Sequence, residues 1–292
     1  MKMSFLENAN RNELKRSMLI IIAALTVAVV ALILAIIIIS VTPQSIKGMD
    51  LDTATITEKH LHNGPLLLVD KDHPYSASPE LLATLVSCQE FRNAKMAEAG
   101  IEVVKENNQY IPYKAMKLSP VAMEAAHQML CAAKTATGER AVTIDATYGY
   151  IIHGQTDTDE YETGMLLFLS DYTSEIESYV ALSNAYDSWF NKHAAEYGFI
   201  ESFDNGYRYV GIPHSEYMKS KGLSLAEYIS FLKNDTSTES ALKITVEDTT
   251  YAVYYVSCSA GDEIKVPAAS EGDYTISGTN EGGVIITAKL KK

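Results

Sequence analysis

A chain of 292 residues with a net charge of −13 is long enough for one domain of ordinary size plus a small extra module. Such acidity argues against nucleic acid as a partner and against adhesion to anionic lipid headgroups. Its three cysteines, Cys88, Cys131 and Cys258, lack metal-site spacing and are too few for a disulfide framework.

The first element in the chain is the uninterrupted run Met18–Val41, whose only polar members are Thr26 and Ser40. Its 24 residues span a bilayer with some tilt to spare, and no small-residue cleavage site follows, so the run reads as an uncleaved transmembrane anchor. Arg11, Lys15 and Arg16 crowd its N-terminal side, while Lys47 stands beyond it among Asp50 and Asp52. By the positive-inside rule, residues 1–17 are a cytoplasmic tail and everything after Val41 lies outside a plasma membrane crossed once. That tail holds four basic and two acidic side chains, so the remainder of the chain carries −15.

Residues 42–62 are polar and aperiodic and suit a short stalk. Leu66–Val69 reads as a short apolar strand. Ser78-Pro79 is a cap followed by an N1 proline, starting a helix that runs towards Gly100. Ser119-Pro120 repeats that signal ahead of Ala122, Ala126, Met129, Leu130 and Ala133 at helical spacing, with Gly138 at the end. Cys88 and Cys131 fall in these apolar helical patterns and read as buried free thiols. If one disulfide forms, spacing chooses no pair.

Ala141–Ile144 and Met165–Leu169 read as buried strands. Ser183 caps a helix over Asn184–Tyr197, with Gly198 just past its end. Phe199–Ser202 and Tyr207–Val210 are strands around the hairpin signal Asp204-Asn205-Gly206. Ser224-Leu225-Ala226-Glu227 is a capping box opening the last helix. Asn234–Ser240 has the composition of a linker. After it, T-Y-A-V-Y-Y-V, E-I-K-V, Y-T-I-S and G-V-I-I-T-A-K-L alternate with turns, making residues 241–292 a small antiparallel β module.

From Ala185 the chain runs A-Y-D-S-W-F-N-K-H-A-A-E-Y-G-F-I-E-S-F-D-N-G-Y-R-Y-V-G-I-P-H, and from Gly222 G-L-S-L-A-E-Y-I-S-F-L. This stretch resembles the C-terminal half of the VanY-type D-alanyl-D-alanine carboxypeptidases, zinc enzymes that trim peptidoglycan stem peptides. The similarity extends over about Leu66–Leu232, and is specific around Trp189, Tyr197-Gly198-Phe199, Arg208–Gly211, His214 and Leu225–Tyr228. It implies an α+β fold with a VanY-like carboxypeptidase core at 63–234, behind one N-terminal transmembrane helix and ahead of the C-terminal antiparallel β module.

The family's chemistry needs two histidines and an aspartate on zinc, with a glutamate as general base. Aligning its T-G on Thr163-Gly164 sets Tyr161 at the first histidine and Phe168 at the aspartate. Aligning its R-Y-V-G on Arg208–Gly211 sets Gly206 at the second histidine and Phe203 at the glutamate, and the substrate-binding arginine falls on Tyr148. None of these replacements supplies the original chemistry, so the resemblance assigns no catalytic residue, no metal ligand and no cofactor. The loops around Tyr150–Glu162 and Phe199–Tyr207 are also shorter than in active relatives.

Other groups are candidates for a relocated site. His153, Asp157, Asp159, Glu160, Glu162 and Asp171, with Asp145, form an acidic stretch, but it lacks the order of a calcium loop and reads as solvated. His193 and His214 read as packing histidines, and His60 and His62 as incidental. Tyr148, Tyr150, Tyr161, Tyr207 and Tyr209 cluster where the family has its cleft. Tyr148, Tyr161, Tyr207, Arg208 and Tyr209 are therefore the candidate ligand-binding set, while Phe168 and Phe203 read as core.

The leading expectation is a membrane-anchored pseudoenzyme that binds peptidoglycan, or scaffolds an envelope protein, at the cell surface. An active zinc carboxypeptidase with relocated ligands is the enzyme alternative. A surface interaction protein acting through residues 241–292 is the other.

Overall fold

The computed structural model describes residues 43–45, 52–88, 90–91, 94–95, 117–138, 143–144, 159–173, 178–180, 182–203, 206–268 and 273–290. Residues Ser45–Lys292 form one compact unit. The apolar run Met18–Val41 lies outside the described residues, and among those described no helix is long and apolar enough to cross a membrane.

From Asp52 onward the strands and helices are, in chain order, β1 (Asp52–Ile56), α1 (Pro79–Thr84), β2 (Val86–Ser87), β3 (Lys117–Leu118), α2 (Pro120–Thr137), β4 (Thr143–Ile144), β5 (Leu166–Thr173) and β6 (Ser178–Val180). They continue with α3 (Asn184–His193), β7 (Phe199–Phe203), β8 (Gly206–Tyr209), α4 (Ile212–Lys221) and α5 (Leu225–Asp235). The C-terminal strands are β9 (Ser240–Val246), β10 (Thr249–Ser257), β11 (Ile264–Ala268), β12 (Tyr274–Gly278) and β13 (Gly283–Leu290).

The helices start where local chemistry demands. Ser119 Oγ accepts from Ala122 N–H at 3.3 Å and Ser183 Oγ from Tyr186 N–H at 3.4 Å, each satisfying an otherwise orphaned donor. Ser224 and Glu227 close a reciprocal capping box. Gly138 ends α2 in the left-handed region. Over Asn184–Tyr197, the last turn tightens from α into 3-10 at Ala194.

Two sheets carry the core. The central one is antiparallel, in the order β4-β5-β8-β7, with β6 also paired to β5. Leu167, Leu169, Tyr207, Phe199 and the apolar faces of α2 and α3 fill one cluster. In the C-terminal sheet β9, β10, β13 and β12 are neighbours in that order. Both of its faces are buried. Ala252, Tyr254, Val284 and Ile286 meet Ala54, Ile56, Val266 and Ala268 of the β1–β11 pair, while Leu242, Val253, Tyr255 and Ile285 meet α4 and α5.

Several expectations are corrected here. The stalk expected at 42–62 is a strand and a capped 3-10 turn from Asp52 onward, because the strand pairs with β11 and the alternation in D-T-A-T-I buries Ala54 and Ile56 in the cluster with Ala252 and Ile286. Leu66–Val69 is buried but belongs to no strand. Leu66 N–H donates instead to Ser277 Oγ and Leu68 N–H to the Thr279 carbonyl, while the carbonyls of Leu67 and Leu68 accept from Arg208 and Asn280. The helix from Ser78 ends at Thr84, because Leu85 turns extended and Val86–Ser87 pairs with β3. Residues 234–240 are no loose linker: α5 runs to Asp235, and Thr236 Oγ1 donates to Leu232 O while accepting from Tyr255 N–H. Cys131 is exposed, Cys88 is half-buried and Cys258 is buried, and all three are free thiols.

Candidate functional site

The middle of the central sheet brings together three of the positions that the family resemblance sets at the metal site. Phe168 on β5 stands opposite Gly206 on β8, and Gly206 is also paired with Phe203 across the β7–β8 hairpin. Alternation along each strand sends Phe168 to the face opposite Leu167 and Leu169, away from the α2–α3 cluster. Phe168 is fully buried, and its ring stacks on Phe203 with centroids 6.0 Å apart and 29° between planes.

Gly206 is required under this pair by space. A Cβ there would stand 2.7 Å from Phe168 Cε1 and 2.9 Å from Phe203 Cβ. Real Cβ atoms do not approach so closely, so any side chain at 206 must displace the rings.

Two residues along the same face, Arg208 is completely buried. Its Nη1 donates to Glu160 Oε1 at 2.5 Å, and its Nη2 to the carbonyls of Leu67 at 3.1 Å and Pro65 at 3.3 Å. Such a charge is tolerable inside a protein only when paired and hydrogen-bonded. The guanidinium thereby ties the 65–67 segment and the 3-10 turn Asp159–Thr163 to β8. Glu162 accepts from Ala77 N–H at 2.8 Å on the same turn. Gly164 follows at φ 67, and a Cβ there would meet Leu85 Cδ2 at 2.5 Å and Ser119 N at 2.9 Å. The Thr163-Gly164 pair thus permits close packing of this turn on the start of α2.

Comparison with known proteins agrees with this frame. No family model matches the chain. A D-alanyl-D-alanine carboxypeptidase of Enterococcus faecium is 25% identical over 252 residues, covering 80% of this chain and 78% of its own length. The vancomycin-resistance D,D-dipeptidase VanXYg, solved with a D-Ala-D-Ala phosphinate analogue, shares the fold with a TM-score of 0.57. The two are 17% identical, over 82% of this chain and 99% of that one. The chain is similar to a D-alanyl-D-alanine carboxypeptidase in sequence and to VanXYg in fold.

The zinc that the family resemblance implies has no ligand set at Phe168, Phe203 and Gly206. Phenylalanine and glycine side chains carry no donor atom, and the Phe168–Phe203 pair fills the space above Gly206. Among the described residues no group of three or more His, Cys, Asp or Glu is placed to hold a metal ion. The residues at these three positions therefore do not fit zinc.

The other candidates separate. Tyr207 and Tyr209 point into or onto the α2–α3 cluster, where Tyr207 packs on Phe190 at 5.6 Å and Tyr209 on Phe199 at 5.3 Å. Arg208 lies on the opposite face, so these three consecutive residues do not line one surface. Tyr148, Tyr150, Asp145, His153 and Asp157 lie outside the described residues, as do the side chains of Tyr161 and Asp171. Glu160, expected in a solvated acidic stretch, is buried because it neutralises Arg208.

The histidines resolve individually. His193 stacks on Trp189 at 4.9 Å and bonds Glu196 at 2.9 Å. His60 Nδ1 accepts from Thr57 N–H at 3.0 Å as part of a turn cap. Burial holds His214 at a pKa of about 3, and desolvation raises the Cys88 thiol to about 12, leaving it a poor nucleophile. Sequence reasoning missed the Glu160–Arg208 pair. A lone arginine amid the apolar strand residues of Y-R-Y-V was its signal.

Proposed function

We propose that this protein is a membrane-anchored, extracytoplasmic member of the VanY-like group that engages peptidoglycan, or scaffolds at the envelope, without hydrolysing peptides. The observation that carries this reading is the Phe168–Phe203 pair over Gly206, where a metal and its general base would have to sit. Water activation at neutral pH needs a divalent ion with an open position, and these side chains supply neither ligand nor base. The Met18–Val41 run and the basic residues before it support the anchor and its orientation. The kinship with a D-alanyl-D-alanine carboxypeptidase supports peptidoglycan as the ligand class.

The test uses residues 45–292, loaded with zinc, dialysed, and assayed for metal content and for D-alanine release from peptides ending in D-Ala-D-Ala. Retention on purified cell-wall sacculi is measured in parallel. The expected result is retention on sacculi with no stoichiometric zinc and no release. One zinc per chain together with D-alanine release would establish the active-enzyme alternative and overturn the proposal.

A further inference from the structure

The turn between β12 and β13 is held on the 66–74 segment by a compact polar cluster. Asn280, in the left-handed region at φ 59, donates from Nδ2 to the carbonyls of Leu68, His73 and Pro74 at 3.2, 3.3 and 3.2 Å. Leu68 N–H returns a bond to the Thr279 carbonyl at 3.0 Å. Beside this, His73 sits between two carboxylates. Its Nδ1 lies 2.8 Å from Asp70 Oδ1 and its Nε2 lies 2.7 Å from Glu281 Oε1.

Ionised carboxylate oxygens only accept, and an imidazole donates from both nitrogens only when it is protonated. A neutral ring would aim a lone pair at one of the two carboxylates from within hydrogen-bonding distance. The geometry therefore favours the imidazolium. The charged groups facing the ring are Asp70 from its own turn and Glu281 from the turn opposite. Lys233 of α5 reaches the other oxygen of Glu281 at 2.6 Å and so shares that carboxylate. Partial burial opposes the charge on His73, but the Asp70 and Glu281 carboxylates outweigh it, and the ring titrates above its ordinary value of 6.5.

We propose that His73 is a proton-operated latch, which as an imidazolium bonds Asp70 and Glu281 together and so pins the 279–282 turn to the 66–74 segment, and which lets one carboxylate go when it loses its proton. A group with a raised folded-state pKa contributes its stability fully below the unfolded value. The contribution is lost as pH rises through the folded one. The latch is thus closed in acid and opens above pH 6.5, in the range where histidine is the natural switch. This holds whether the VanY-like core binds peptidoglycan or cleaves it.

The test follows the ring nitrogens of His73 by NMR in the full chain, with amide exchange at Leu68 measured from pH 5 to 9 and corrected for intrinsic base catalysis. Both nitrogens are expected to be protonated at pH 6, with a midpoint above 6.5. Leu68 protection should fall about two- to fivefold across that midpoint, the range for a partly exposed charge pair. In His73→Gln the protection should lose its pH dependence, and Glu281→Gln should lower the midpoint of the ring. A ring midpoint at or below 6.5, or Leu68 protection that stays level through it, overturns the latch. If His73→Gln does not fold, the wild-type titration decides alone.

Discussion

Acid should destabilise this protein through one buried ring. His214 on α4 lies between the Tyr228 hydroxyl and Thr287 Oγ1, each 2.9 Å from a ring nitrogen. Hydroxyls donate or accept as needed, so the neutral imidazole is fully satisfied here, unlike His73 between its carboxylates. Burial holds the folded-state pKa of His214 at about 3, against 6.5 for the ordinary group. Between those values the unfolded chain binds a proton that the native chain refuses, so stability falls as pH drops from 6.5 towards 3. At about 1.4 kcal/mol for each unit, the loss is about 2 kcal/mol between pH 7 and pH 5 and about 4 kcal/mol by pH 3. Set against a typical total of about 5–15 kcal/mol, this is a large share. The assay is urea unfolding of residues 45–292 at pH 7 and pH 5, for the wild type and His214→Gln. The variant should be weaker at pH 7 by about 1–3 kcal/mol, from lost hydrogen bonding and packing. It should then lose about 2 kcal/mol less than the wild type on going to pH 5. Equal losses over that interval would refute the argument from a buried neutral ring.

Glu160→Gln leaves the Arg208 guanidinium buried beside an uncharged partner, and a denaturant titration should show a loss of about 3–5 kcal/mol. Adding Arg208→Met should recover much of it. Recovery near zero would mean that the arginine's bonds to Leu67 and Pro65 matter more than its charge balance. Gly206→Ala should cost about 1–3 kcal/mol by pushing the Phe168 and Phe203 rings apart. Phe168→Ala should cost about 3–5 kcal/mol by opening a cavity. Combined, the two changes should cost less than their sum, since the alanine methyl enters space that the ring vacated. Strict additivity in the double-mutant cycle would contradict the contact.

What was legible in the sequence was local. The caps at Ser119, Ser183 and Ser224 each act on a backbone donor three residues on, so their identity and spacing state the geometry outright. The hairpin joining β7 to β8 was legible for the same reason, as was the burial of Phe168, which sits in a continuous apolar run. Less legible were the pairings between distant segments. β1 meets β11 across some two hundred residues, although the alternation in D-T-A-T-I carried its buried face. Leu66–Val69 looked like a strand because its residues are apolar. They are buried, but the partners of their backbone groups come from Ser277, Thr279, Asn280 and Arg208, which no local pattern links to them.

The sequence by itself carried the resemblance to D-alanyl-D-alanine carboxypeptidases and the absence of donor atoms in the side chains of Phe168, Phe203 and Gly206, because a residue's donor atoms are a property of its identity. It also carried the candidate anchor in Met18–Val41, since hydropathy over that length needs no tertiary information. Only the tertiary structure decided that those three positions meet and fill one space, that Arg208 is neutralised by Glu160, and that His73 stands between two carboxylates while His214 stands between two hydroxyls. The physical reason is the same in each case. Packing and protonation depend on which groups come within a few ångströms, and the partners here lie between 3 and 208 residues apart along the chain.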